Sequence, residues 1–207
     1  MLITEESFFR ALEEREGRDN VVKLSETAVG IAGLGGLGSN IALLLARAGI
    51  GKLIIADFDT VELSNIHRQC YPLEAVGMKK TDAIEAEIRR ANPWCAVEKH
   101  DIRLTPENIG VFDRCDIVCE ALDRADQKVM LIESLSQRGR TVVSGNGMAG
   151  IGPANLINTK KLGGRLYICG DGESDVDTEG SLTSSRVAVC AAHQANAVLR
   201  LALGMEP

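Results

Sequence analysis

The sequence predicts an α/β protein with a Rossmann-like, doubly wound, mostly parallel sheet and a C-terminal antiparallel extension. Three observations predict it. Short apolar runs alternate with longer segments of helical spacing, the signature of βαβ units. A glycine-rich turn joins the first such run to a helical segment. After Gly145 the alternation stops, and two short apolar runs follow with no helix between them.

The elements read in order as follows. Residues 1–25 form one amphipathic helix and a linker. Residues 27–32 are a buried strand, and 37–48 a helix ending at Gly49 and Gly51, which suit a C-cap. A second strand is 52–57 (KLIIAD). Residues 80–92 are a helix stopped by Pro93, and 96–100 a strand. Thr105-Pro106-Glu107 opens another helix, with Thr as N-cap and Pro in the first turn. Residues 115–122 are a strand, 125–138 a helix and 141–144 a strand. Residues 154–157 and 165–168 read as an antiparallel hairpin. The acidic, Gly- and Ser-rich stretch 170–185 reads as a mobile loop. Residues 187–203 are a final helix, apolar around most of its surface, which the core or another subunit must cover. No internal repeat is visible, and 207 residues suit one domain spanning the chain.

Composition excludes several classes. Aromatic residues make up 3% of the chain, too few for a surface that stacks sugars or single-stranded bases. Net charge is −6 and the basic residues are scattered, which argues against a nucleic-acid partner. No apolar run approaches membrane-spanning length and residues 1–10 lack a signal segment, so a cytoplasmic protein is expected. The six cysteines form no C-x-x-C pair, so no zinc is expected and reduced core thiols are.

The turn is Gly33-Leu34-Gly35-Gly36-Leu37-Gly38. Glycines let a backbone approach a ligand, and a helix N-terminus offers free N–H donors and partial positive charge to phosphate. Asp57, about 20 residues on at the end of the next strand, stands where a carboxylate can accept from ribose hydroxyls. The alternative is close helix–strand packing without a ligand. A nicotinamide dehydrogenase would show the same features.

The segment from Asp57 to Gln69 goes further. It is dense in polar groups beyond a strand's carboxyl end, the edge where doubly wound sheets bind ligands. It supplies Asn65, Arg68 and Gln69, and Lys80 follows near a helix start. Cleaving a triphosphate shifts charge onto the departing oxygens, which Arg and Lys aimed there stabilise. The competing reading is a solvated loop, which weighs more for His67 and Gln69. Asp123 ends the strand before residue 125. It could hold Mg²⁺, a hard cation that favours oxygen ligands, or cap the following helix. Asp126 reads as a first-turn helix charge.

With these residues in place the chain resembles the ThiF/MoeB/HesA family, the bacterial relatives of ubiquitin-activating enzymes. The resemblance is carried by the glycine turn through Ser39, Asp57-Phe58-Asp59, Leu63-Ser64-Asn65-Ile66-His67-Arg68-Gln69, Lys80 with Asn92-Pro93 one helix later, and Asp123. It covers residues 25–150 well and the rest loosely. It implies adenylation, with Mg²⁺ and ATP, of the C-terminal glycine carboxylate of a small β-grasp sulfur carrier protein ending in Gly-Gly, with release of pyrophosphate. It implies that Gly33, Gly35 and Gly36 line the nucleotide, with Asp57 on the ribose and Asp59 beside it. Asn65, Arg68 and Lys80 would contact phosphates, and Asp123 the magnesium. Arg68, Lys80 and Asp123 would be the catalytic set. Lys80 is preferred to Lys79 because its spacing to Asn92-Pro93 matches.

The chain departs from the pattern too. It lacks the zinc-binding C-x-x-C pairs of many members, and residues 171–185 hold no cysteine; Cys169 and Cys190 flank them. It is most similar to the compact, zinc-free ThiF branch, which implies a ThiS-type carrier and thiamine biosynthesis. The resemblance also implies a homodimer in which Arg10, Arg15 or Arg18 could reach the partner's site. Residues 170–185 could lie over a carrier tail as a lid, or be a plain connection. Three other readings compete. An NAD-dependent oxidoreductase would need His67, His100 or His193 as acid/base. Activation of a tRNA base or peptide would use the same site, with low positive charge arguing against tRNA. A silent module would bind ATP without exchanging pyrophosphate.

Overall fold

The structure, a computed structural model, describes residues 2–207. Its strands are β1 (Ala28–Ala32), β2 (Lys52–Asp57), β3 (Ala96–Asp101), β4 (Ile117–Glu120), β5 (Thr141–Gly145), β6 (Asn158–Lys161) and β7 (Leu166–Gly170). Its helices are α1 (Glu5–Glu16), α2 (Arg18–Ser25), α3 (Gly36–Arg47), α4 (Lys80–Ala91), α5 (Ala125–Gln137), α6 (Val176–Glu179) and α7 (Ser184–Ala202). One seven-stranded sheet runs β3-β2-β1-β4-β5-β7-β6. Every neighbouring pair is parallel except β6 with β7. The expected parallel sheet with an antiparallel extension is therefore present.

Parallel strands are covered on both faces, so their sequences are nearly all apolar. In β2 the alternation sends Leu53 and Ile55 into one layer and Ile54 and Ala56 into the other. The first layer holds Ile41 and Leu45 of α3, Ile84 and Ile88 of α4, and Val187, Ala191 and Val198 of α7. The second holds Leu131 and Leu135 of α5 with Phe112. Helix α7 packs on α3 and on β4 to β7. The core covers its apolar face, which answers the question its sequence left open. The two edge strands are polar: β3 reads AVEKHD and β6 reads NTKK.

Some elements differ from expectation, each for a local reason. Gly17, at φ 85°, divides the N-terminal segment into two helices. The helix expected from Thr105 does not form. The Asn108 amide folds back to accept from the Thr105 N–H (2.8 Å) and donate to the Arg103 carbonyl (2.9 Å), leaving a turn and a 3-10 helix at Ile109–Phe112. The hairpin is shifted: Ala154–Leu156 is a 3-10 turn, and β6, at Asn158–Lys161, pairs with β7. An edge strand needs no apolar run, so hydrophobicity pointed to the wrong segment.

Residues 171–183 are no plain loop. Asp171 accepts from the N–H groups of Glu173 and Ser174 (both 2.9 Å) and forms a buried ion pair with Arg186. The N–H of Ala149 donates to the Ser174 hydroxyl (3.1 Å), and the Thr183 hydroxyl donates to the Gly150 carbonyl (2.7 Å). Asp175 caps α6 through the Asp177 N–H (2.8 Å). The segment is tied at both ends and carries its own short helix.

Candidate functional site

The chain runs outward from β1 through β2 to β3, then returns to β4 on the other side of β1. That reversal opens a crevice beyond the carboxyl ends of β1 and β4, the place where doubly wound sheets bind ligands. A cavity of about 760 Å³ occupies it. Gly33, Gly35, Gly36, Asp57, Asp59, Asn65, Arg68, Lys80 and Asp123 all line it. Residues spread over ninety positions of sequence thus share one space.

The glycine turn is shaped by its neighbours. Gly33 sits at φ 91°, and a Cβ on it would stand 2.6 Å from the Ala121 carbonyl. A Cβ on Gly36 would stand 2.9 Å from Val187 of α7, with the Arg68 stem beyond it at 3.6 Å. Gly35 caps α3 without any side-chain hydrogen bond, leaving first-turn N–H donors open. Asp57 holds the turn from below. Its carboxylate accepts from the N–H of Leu34 (2.6 Å) and of Asp59 (2.8 Å). Burial pushes its carboxyl above the usual range, against the opposing pull of Lys80 and the two N–H groups. A carboxylate oxygen has two acceptor directions, so Asp57 can both lock the turn and receive a hydroxyl.

Two cations reach the same space differently. Lys80 is buried, and its Nζ is 2.8 Å from Asp59 Oδ2. Arg68 donates one N–H to the Ser64 carbonyl (3.2 Å) and has no carboxylate within ion-pair distance among the described residues. Its stem passes Gly36, and it lines the cavity. Asn65 accepts from the Glu62 N–H (3.1 Å) and so helps cap the 3-10 turn at Leu63–Asn65.

Asp123 follows β4 across the crevice. It is exposed on the cavity wall and makes no hydrogen bond or ion pair among the described residues. It does not cap α5, whose N-cap is Arg124. No group of three or more His, Cys, Asp or Glu able to hold a metal exists among the described residues. One free carboxylate in a cavity that also holds the open N-terminus of α3 suits Mg²⁺, which takes few protein ligands and completes its shell with phosphate and water. The residues present fit that ion.

The sequence reading did not single out two parts of the site. Beneath Asp123, fully buried Glu120 accepts from the Leu122 N–H (2.7 Å), from Lys128 Nζ (2.8 Å) and from the Ser144 hydroxyl (2.5 Å). This cluster fixes the turn that carries Asp123. Only its wide sequence spacing hid it. At the far end, the Arg103 guanidinium lies 4.1 Å over the ring of Phe58, and both line the cavity. Both follow strand carboxyl ends, which was the available signal. None of the histidines lines the cavity among the described residues.

Burial suppresses the reactivity of five of the six thiols. Cys95, Cys115, Cys119, Cys169 and Cys190 are buried. Burial pushes Cys95 and Cys169 up to about 11 and Cys115 and Cys190 to about 12. Neither cysteine beside the 171–183 segment is placed to accept sulfur.

Comparison with known proteins gives the setting. The model of the ThiF family matches residues 10–207. The adenylyltransferase and sulfurtransferase UBA4 of Eremothecium gossypii is 35% identical over 152 residues, 72% of this chain and 34% of that protein. The adenylyltransferase and sulfurtransferase MOCS3 of Anopheles gambiae is 34% identical over 155 residues, 74% of this chain and 35% of that protein. The chain therefore spans about a third of the length of these relatives. Among solved structures, E. coli tRNA N6-threonylcarbamoyladenosine dehydratase, TcdA, with AMP superposes with TM-score 0.86 at 22% identity, covering 99% of this chain and 98% of that one. That likeness is one of fold.

Proposed function

The chain belongs to the ThiF family, and from that premise we propose that it is an ATP-dependent adenylyltransferase acting on the C-terminal glycine carboxylate of a small β-grasp sulfur carrier. The carrier is of the ThiS type and the setting thiamine biosynthesis. One observation carries the reading: unpaired Arg68, buried Lys80 and unpaired Asp123 line one cavity at the open N-terminus of α3. The names of the UBA4 and MOCS3 relatives support the reaction class.

The chemistry follows from the residue types. A carboxylate is a poor electrophile until it acquires a good leaving group. Its oxygen attacks the α-phosphorus of ATP, the bond to the bridging oxygen breaks, and pyrophosphate leaves with the electron pair. Such a step needs alignment and charge neutralisation more than a protein base. The α3 N-terminus receives phosphate oxygens, and Asp57 receives the ribose. Lys80 exchanges its Asp59 contact for a phosphate, and Arg68 meets charge developing on the leaving group. Asp123 would hold Mg²⁺, which neutralises polyphosphate charge. Burial withdraws Cys169 and Cys190, the two cysteines flanking residues 171–183, from any step to a persulfide. A homodimer is part of the proposal: Arg10, Arg15 and Arg18 are exposed and none lines its own chain's cavity.

The test is ATP–pyrophosphate exchange with Gly-Gly-ended carriers, on wild type, Arg68→Ala and Asp123→Ala. Carrier-dependent exchange, cut by at least about tenfold in both variants, is expected. Exchange that ignores the carrier, or tolerates both changes, overturns the proposal. The likeness to TcdA favours a second reading, activation of a tRNA base. Residues 166–185 hold no Lys or Arg, and Asp175 and Asp177 line the cavity, which opposes it. ATP hydrolysis stimulated by threonylcarbamoylated tRNA but not by carriers would establish the second reading instead.

A further inference from the structure

Two separate segments wall part of the cavity. The loop after β2 brings Asn65 and Arg68, and residues 171–183 bring Val176, Asp177 and Leu182. Among the described residues one hydrogen bond joins the two, and it runs through His67. The ring's Nε2 lies 3.2 Å from the Leu182 carbonyl and its Nδ1 lies 3.0 Å from the Ser64 carbonyl. Both neighbours are acceptors only. A neutral imidazole has one N–H, so it donates to one carbonyl and turns a lone pair on the other. An imidazolium donates to both.

The two contacts are not equal. The Ser64 contact closes a local turn of three residues, whereas the Leu182 contact spans 115 and holds two segments together. A ring with one donor keeps the local bond and gives up the distant one. Arg68 donates to the same Ser64 carbonyl (3.2 Å), so His67 and Arg68 lean on one atom. Leu182 is otherwise tied only through its neighbours: the Gly150 N–H donates to the Ser181 carbonyl (2.8 Å), and the Thr183 hydroxyl to the Gly150 carbonyl (2.7 Å).

No carboxylate answers the ring's proton among the described residues. On its own loop, Glu62 accepts from the Ser64 hydroxyl (3.0 Å), and Arg68 is a like charge. Of the charged side chains nearest Leu182 in sequence, Glu179 lies against Gly150 and Arg186 pairs with Asp171. The ring is exposed, so bulk solvent exchanges its proton freely. Imidazole is the side chain that changes charge between about pH 5 and about pH 8.

Resting on the adenylation reading for its catalytic consequence, we propose that His67 is a positioning residue whose imidazolium ties residues 171–183 to the loop that carries Arg68, and whose neutral ring releases them. The cavity wall then tightens as the solution becomes more acidic.

The experiment follows hydrogen–deuterium exchange of the ligand-free protein, corrected for intrinsic chemistry, on peptides covering 146–152 and 172–183 at about pH 5.5 and about pH 7.5. Wild type should exchange about fivefold more slowly at the lower pH, the scale of one hydrogen bond. His67→Gln, neutral at both values, should lose that difference, and His67→Arg, cationic at both, should stay slow at both. A wild type without the difference, or a His67→Gln protein that reproduces it, overturns the proposal. In carrier-dependent ATP–pyrophosphate exchange at the lower pH, His67→Gln should raise the carrier KM about threefold and leave kcat within about twofold. A carrier KM equal to wild type overturns the positioning role. Protection that follows the imidazole in a protein with no carrier-dependent exchange supports the tie and overturns the adenylation reading instead.

Discussion

Asp57 shows how one side chain serves structure and site together. Its two oxygens hold Leu34 and Asp59, so the carboxylate expected to meet a ribose first builds the turn proposed to meet the phosphates. That double duty is invisible in spacing, although the residue itself was legible, as were Gly33, Gly35, Gly36, Arg68, Lys80 and Asp123. Glu120 was not legible. It sits inside an apolar run, and its partners Lys128 and Ser144 come from other elements. Phe58 and Arg103 were missed because their contact joins two separate strand ends. The cysteines give a prediction at this scale. At pH 8, Ellman's reagent should modify at most the half-buried Cys70 in the native protein and all six thiols after denaturation. Rapid labelling of Cys169 or Cys190 in the folded protein would contradict the suppression of their reactivity.

At the scale of elements, the segment from Asp171 to Thr183 depends on one buried pair. Burial disfavours the Asp171 charge, but the Ser174 and Glu173 N–H groups and Arg186 outweigh it and hold its carboxyl at about 2. A carboxyl lowered from 3.8 contributes stability that is complete above the ordinary value and lost as pH falls toward 2. Urea midpoints should therefore decline over that window, and Asp171→Asn should flatten the decline. At neutral pH the same variant leaves Arg186 buried and unpaired, at a cost of about 3–5 kcal/mol. A midpoint unchanged by Asp171→Asn at pH 7 would contradict this account. Element boundaries were legible to within a residue in β1 and β2, but β4, buried at every position, is shorter than the expected 115–122, at Ile117–Glu120. They failed where one side chain redirects the backbone, as Asn108 does before Ile109–Phe112, and where a strand carries charge instead of apolar residues, as β6 does.

For the whole molecule, the order of the strands places the site. Reversal between β1 and β4 brings a turn at residue 33 beside a carboxylate at residue 123. The alternating pattern predicted this arrangement, because right-handed crossovers on one twisted sheet leave few other routes. The same order leaves β3 and β6 at the two margins of the sheet, each bearing charge: Glu98, Lys99 and Asp101 on one, Lys160 and Lys161 on the other. An unpaired strand margin invites another chain to dock by backbone pairing, and lysines there repel such a visitor. Concentrated protein should thus resist growth into extended aggregates. Replacing both Lys160 and Lys161 with valine should raise light scattering and thioflavin binding on refolding while leaving nucleotide affinity alone. On this view the charged borders keep a largely apolar sheet from recruiting copies of itself.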